Sequence, residues 1–376
     1  MKRRILKYIL PIMIISALSQ VSCFDTYNNM LASSGERYRF AVVGTTLNSL
    51  DSMMYFSDSK GGLTGPQTIN TSLSACLKSE FADFNMDGNL DLLFIRQDNS
   101  HMMYFSDGKG NFTPGGTGLT NAGGLSQDSA ITDIDNDGDP DIVIARTAPG
   151  DYILINNGSG DFTFNNSLIP GQVSNQVIAA DFDMDGDKDL FFTTSTGKDY
   201  WRNDSNIFSH SGVNFGAATS VTEIASSDFD LDGDIDVVEV NIGGPSHIWL
   251  NNGYGSFSAG WAISEPNPHN DVAIADIDSD GDIDAYVCRA ATDFDVILLN
   301  NGDGTFIEKN FNKIFPDISH ASVFGDLDLD GDIDLVVSSS TALSVYHNNG
   351  YGQFSLYKSY TAIPSQSNIS IGAIFQ

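Results

Sequence analysis

The acidic residues of this chain recur in one spacing. In Asp181-Phe-Asp183-Met-Asp185-Gly186-Asp187-Lys-Asp189, carboxylates stand at positions 1, 3, 5 and 9, with Gly at 6 and a further Asp at 7. Alternate residues point the same way, so the first three side chains converge on one point. Gly186 permits a sharp reversal because it has no Cβ to oppose a positive φ, and Asp189 closes the cage from the far side. Hard oxygen donors at this density suit Ca²⁺, which takes about six to eight oxygens, including a main-chain carbonyl near position 7. The first half follows the EF-hand pattern, but no Glu stands at position 12. The loop is EF-like and truncated, and it needs no flanking helices.

The loop occurs six times, starting at Asp83, Asp133, Asp181, Asp228, Asp276 and Asp326, in steps of 50, 48, 47, 48 and 50 residues. The metal-ligand positions are therefore Asp83, Asn85, Asp87, Asn89 and Asp91; Asp133, Asp135, Asp137, Asp139 and Asp141; Asp181, Asp183, Asp185, Asp187 and Asp189; Asp228, Asp230, Asp232, Asp234 and Asp236; Asp276, Asp278, Asp280, Asp282 and Asp284; and Asp326, Asp328, Asp330, Asp332 and Asp334. One such loop alone reads as an acidic turn; six in register do not. In the first copy Asn85 and Asn89 replace Asp, so that site is expected to be weaker. Up to six Ca²⁺ are implied.

The formal charge is −31 over 376 residues, and the six loops hold 28 of the 49 acids. Six bound Ca²⁺ would leave about −19. This balance argues against nucleic acid, whose phosphates require Lys and Arg.

A period near 48 residues implies a repeat architecture. Each repeat reads as four strands. A small apolar strand enters the loop (Gln176-Val-Ile-Ala-Ala180) and another leaves it (Asp141-Ile-Val-Ile-Ala145). A bulkier third strand (Ile248-Trp-Leu250) runs into Asn-Asn-Gly-x-Gly-x-Phe at Asn156–Phe162, Asn251–Phe257 and Asn348–Phe354, with a near copy from Asn300 to Phe306. Asn-Gly signals a hairpin, and the Phe is expected to open the fourth strand and pack between sheets. Such units suggest an all-β fold, a β-propeller of four-stranded blades. Residues 38–63 supply strands two to four of a unit without an Asp loop. Ser367-Asn-Ile-Ser-Ile-Gly-Ala-Ile-Phe-Gln376 matches a first strand, so the C-terminus is expected to complete the N-terminal blade and close a seven-bladed ring. Degenerate caps of an open array are the alternative.

At the N-terminus, Lys2, Arg3, Arg4 and Lys7 precede a short apolar core, Ile5–Leu18, which reads as a signal peptide over residues 1–22. Either Ala17-Leu-Ser19 is an ordinary cleavage site, or Val21-Ser22-Cys23 is a lipoprotein box with Cys23 lipidated; Gln20 departs from that box. Residues 23–37 read as a tether and 38–376 as the propeller. The chain is expected to be exported and monomeric, held at the cell envelope or secreted, with membrane contact only through a lipid anchor. Cys76 and Cys288 are expected to be buried thiols.

The Asp loops and Gly-x-Phe hairpins resemble the FG-GAP (VCBS-type) repeat of integrin α-subunit propellers and many bacterial surface proteins, over residues 38–376. The resemblance implies calcium loops on a lower face and ligands on the upper face. Arg96, Arg146 and Arg289 share one repeat position, five residues after Asp91, Asp141 and Asp284, where the second strand reaches that upper face. Three guanidinium groups there would hold a carboxylate or sulfate; pairing with Asp98, Asp151 and Asp293 is the plainer alternative. His101, His247, His269 and His320 are expected on upper-face loops. No His-Glu-x-x-His or Gly-x-Ser-x-Gly motif is present. The expectation is therefore a non-enzymatic, calcium-stabilised propeller that binds a glycan or a protein. The alternatives are an enzyme on acidic polysaccharide, with Arg neutralising a uronate carboxylate, and a purely structural surface protein.

Overall fold

The computed structural model describes residues 38–45, 52–58, 60–69, 75–120, 123–211, 220–263, 268–290, 294–312, 317–361 and 368–375. Cys23, the signal segment and the tether lie outside them. Among the described residues there is no helix, and the strands form seven four-stranded antiparallel sheets.

Six sheets are sequential repeats. Blade 2 comprises Cys76–Ala82, Asp91–Arg96, Met102–Ser106 and Phe112–Gly115. Blade 3 comprises Ser126–Thr132, Asp141–Arg146, Tyr152–Ile155 and Thr163–Asn165. Blade 4 comprises Gln176–Ala180, Asp189–Thr194, Gly197–Asp204 and Ile207–His210. Blade 5 comprises Val221–Ser227, Asp236–Asn241, His247–Leu250 and Ser258–Ala262. Blade 6 comprises His269–Ala275, Asp284–Arg289, Phe294–Asn300 and Phe306–Asn312. Blade 7 comprises Ser319–Gly325, Asp334–Ser339, Ala342–His347 and Ser355–Thr361.

Blade 1 is composite. Asn368–Phe375 pairs antiparallel with Tyr38–Thr45 through eight residue pairs, from Tyr38 opposite Phe375 to Thr45 opposite Asn368. Ser52–Ser57 and Leu63–Ile69 complete it. The last strand thus takes the first-strand place of the first blade, and the first strands of all seven blades pack on one another around the ring, which leaves the blade 1 edge covered.

One apolar cluster fills each of the seven blade interfaces. The second residue of each Asp loop anchors one. Phe182 of blade 4, fully buried, meets Tyr200 of its own blade edge-on at 6.1 Å and Phe257 of blade 5 at 5.5 Å. Burial of one such ring contributes roughly 1.5–3 kcal/mol. Near the ring axis, the residues five before each of the first five loops stitch blades together. Lys78 donates to Asp128 (2.9 Å), Asp128 accepts from the Val177 N–H (3.0 Å), Gln176 donates to Glu223 (3.2 Å), and Asp271 accepts from the Ser322 N–H (2.8 Å). Cys76 and Cys288 are buried free thiols in different blades.

Candidate metal centres

Every Asp loop joins the first and second strands of its blade, so all six lie on one rim. Blade 5 shows the construction. Asp228 accepts the N–H groups of Asp232 (3.2 Å) and Gly233 (3.0 Å), which bends the chain around the first carboxylate. Gly233 sits at φ +100°, and Leu231, at position 4, is forced to φ 57°. The same left-handed residue occurs at Met86, Asn136, Met184, Ser279 and Leu329. A side chain there costs roughly 1–2 kcal/mol, a strain that sequence patterning alone does not reveal. Asp236, fully buried, accepts Asn251 N–H with one oxygen (2.8 Å) and Phe229 N–H with the other (2.9 Å), locking loop to third strand.

These contacts leave specific oxygens over. Asp230 Oδ1 and Asp234 Oδ1 are buried without a hydrogen-bond partner; so are Asp135 Oδ1 and Asp139 Oδ1 in blade 3, and Asp278 Oδ1 and Asp282 Oδ1 in blade 6. Asp228, Asp230 and Asp236 each present an oxygen within 4.8 Å of the others, and the triads beginning at Asp133, Asp181 and Asp276 do the same. Burial, then the facing carboxylates of Asp232, Asp230 and Asp228, pushes Asp234 up to about 6. Burial likewise raises Asp236 to about 7 and Asp141 to about 8. Convergent, orphaned, purely oxygen donors crowded by their own charge fit a hard divalent cation. In blade 2 the Asn89 amide donates to Asp87 (2.8 Å) and Asn85 accepts from the Asp87 N–H (3.0 Å), so the substituted loop keeps its shape with fewer charges.

Two groups of residues escape sequence reasoning. The first Asn of each Asn-Asn-Gly looks like a turn former, yet its side chain spans two blades. Asn156 donates to Phe84 O in blade 2 (2.9 Å) and to Pro140 O in its own loop (3.1 Å); Asn203, Asn300 and Asn348 repeat the pattern. Blade 2, whose predecessor has no Asp loop, carries Ser106 there instead. The second group is the buried Lys198–Glu239 pair between blades 4 and 5, 2.6 Å apart, with the ammonium 4.6 Å over the Trp249 ring. No local pattern marks either residue.

On the opposite rim the structure departs from expectation. Arg96, Arg146 and Arg289 do end their second strands, but only 8%, 3% and 2% of each is exposed. They are folded under the rim rather than displayed on it. The Arg146 guanidinium donates to Gly150 O and to Gly123 O (3.2 Å) and lies 4.4 Å over the Tyr152 ring; Arg289 lies 4.1 Å over Phe294. The downstream acids serve the main chain instead. Asp151 accepts the Arg146 N–H (2.7 Å), and Asp295 accepts the Arg289 N–H (2.9 Å). Asp98 stands 3.7 Å from the Arg96 guanidinium, and Asp293 lies outside the described residues. The three Arg therefore do not form an open anion cradle, because each is folded into contacts beneath the rim.

Two of the four histidines expected there, His101 and His269, follow the same logic, while His247 and His320 are half-buried. His101 accepts the Arg96 N–H at Nδ1 (3.1 Å), and its Nε2 lies 2.9 Å from the Tyr152 hydroxyl; His269 Nδ1 lies 2.8 Å from Ser246 Oγ. Both are buried, and burial pushes each down to about 4. They are neutral packing groups rather than display residues.

A closed ring of seven blades with acidic loops repeated along one rim defines a repeat β-propeller with a rim of candidate cation loops. The FG-GAP-like repeat matches residues 83–144, 133–192 and 228–287, and the chain is an FG-GAP-repeat β-propeller protein. No curated protein matches the sequence. Among solved structures, an Agrocybe aegerita lectin described as recognising non-reducing terminal N-acetylglucosamine is 19% identical (TM-score 0.65; 90% of this chain and 96% of that one covered). The Pseudomonas aeruginosa periplasmic gluconolactonase PpgL is 12% identical (TM-score 0.63; 89% and 99%). BBS1N, solved in complex with ARL6DN, is 14% identical (TM-score 0.51; 77% and 82%). These likenesses concern the fold. They correct the expectation of a non-enzymatic protein: an enzyme shares this architecture, so the lack of a familiar catalytic motif does not exclude catalysis.

Proposed function

We propose that the chain is an exported, calcium-stabilised propeller that presents a rigid ring to a glycan or protein ligand at the cell envelope. The observation that carries the metal half is the set of buried, partnerless carboxylate oxygens in blades 3, 5 and 6. A cation bound only by the folded state stabilises it by mass action, and extracellular modules of this sort bind in roughly the 10⁻⁴ to 10⁻³ M range. The ligand half is supported by two fold-level likenesses, to a lectin and to a propeller solved with a protein partner. Export is supported by the basic-then-apolar N-terminus.

Melting with chelator and with millimolar Ca²⁺ tests the metal. Chelation lowers Tm and Ca²⁺ restores it, while Asp230→Ala removes one bound Ca²⁺ per chain; superimposable melts end the proposal. The Ca²⁺-loaded protein on a glycan array, and as bait against purified surface proteins, tests the ligand. Blank results on both end the ligand reading.

A further inference from the structure

The residue just before the third-strand Asn (Ser106 in blade 2) reaches the Asp loop of its own blade in blades 4 and 7. In blades 2, 3, 5 and 6 it is Phe105, Ile155, Leu250 and Leu299, apolar throughout. Blade 4 shows how far a longer side chain reaches from there. Arg202 Nε lies 2.7 Å from Asp183 Oδ2, and its Nη2 lies 3.1 Å from Asp185 Oδ2. In blade 7 the residue is His347.

His347 Nδ1 lies 3.3 Å from Asp328 Oδ2. Donor atoms of Asp328, Asp334 and His347 all fall within 4.8 Å of one another, a group that includes a nitrogen donor. The imidazole is fixed in place. It stacks on Tyr357 with centroids 4.2 Å apart and planes 9° apart. Blade 1 closes over it, since a Cβ on Gly61 would stand 2.4 Å from His347 Nε2, an atom buried without a hydrogen-bond partner. The 3.3 Å separation is loose for a hydrogen bond but matches the edge of a tetrahedron with bonds of about 2.0 Å, the length of Zn–N and Zn–O bonds. Imidazole suits Zn²⁺ and its transition-metal neighbours, whereas Ca²⁺ takes oxygen.

We propose that the blade 7 loop, through Asp328, Asp334 and His347, is a mixed nitrogen–oxygen centre for a transition-metal divalent cation such as Zn²⁺, unlike the all-oxygen loops. The inference rests on the reading that these loops hold cations.

The test titrates Zn²⁺, then Co²⁺ for its d–d absorption, into the full chain kept in excess Ca²⁺. The wild type should retain one Zn²⁺ per chain against Ca²⁺ and give a Co²⁺ spectrum with nitrogen ligation. His347→Leu, which installs the residue of blades 5 and 6, and His347→Gln should each lose that equivalent while keeping the Ca²⁺-induced rise in Tm. His210→Gln, at an exposed imidazole, should change nothing. Equal Zn²⁺ retention in the His347 variants, displacement by Ca²⁺ in the wild type, or loss in His210→Gln overturns the proposal and leaves the calcium reading intact. Loss of the Ca²⁺ response in the wild type overturns both.

Discussion

Asn251 Nδ2 donates to Phe182 O across the boundary between blades 5 and 4, at 2.7 Å. The same amide donates to Ile235 O, and its Oδ1 accepts the Asn252 N–H. One side chain therefore ties a loop, a third strand and the neighbouring blade. Its removal takes a donor from Ile235 O and leaves Phe182 O with the Gly255 N–H alone. Asn251→Ala should cost about 1–3 kcal/mol, while Asn252→Ala, at the exposed hairpin, should stay within about 0.5 kcal/mol. Chemical denaturation of both in saturating Ca²⁺ checks the contrast; equal losses would reduce Asn251 to a turn former.

The composite blade makes a second prediction. Deleting residues 368–376 uncovers the Tyr38–Thr45 strand along its whole pairing edge and opens two apolar interfaces. Aggregation, or a sharp loss of soluble monomer, is expected by size-exclusion chromatography. A monomeric truncation with the parent Tm would show the strand to be dispensable.

The buried Arg positions reverse the effect expected of surface ion pairs. Exposed pairs contribute about 0–1 kcal/mol, but Arg146 satisfies two carbonyls from beneath the rim. Arg146→Ala should lower stability by about 1–3 kcal/mol. An unchanged Tm would mean that the side chain is free to leave its place.

His101 and His269 set an acid limit. Their folded values, about 4, lie below the unfolded value near 6.5. Their contribution is complete above about pH 6.5 and is lost as pH falls towards 4, because only the unfolded state takes up the protons. Each accounts for up to about 3 kcal/mol. The stability gap between wild type and His101→Gln/His269→Gln should therefore narrow across that window. Parallel curves would refute it.

Much of this architecture was legible in the sequence. Asp and Gly at fixed spacing have one geometric use, and Ser367–Gln376 could be matched to a first strand because the other six were visible. The fate of Arg146 was not legible. Its position in the strand follows from the register, but its burial depends on the Thr147–Gly150 turn folding back over it. Asn156 was passed over for a different reason: the Asn157-Gly158 dipeptide beside it is a sufficient turn signal, so nothing called for a second role. His347 carries no local signal at all; its meaning comes from the loop of its own blade, earlier in the chain, which the fold brings beside it.

The ring is shut by a strand that leaves the ribosome long after the strand it pairs with. Asn368 emerges 323 residues after Thr45, its partner in the blade 1 sheet. At roughly 5–20 residues per second, the opening strands wait tens of seconds for theirs. Until then the growing chain is an arc with one unsatisfied end. Ring closure thus reports that synthesis has passed Phe375, and a chain stalled before that strand cannot close the ring.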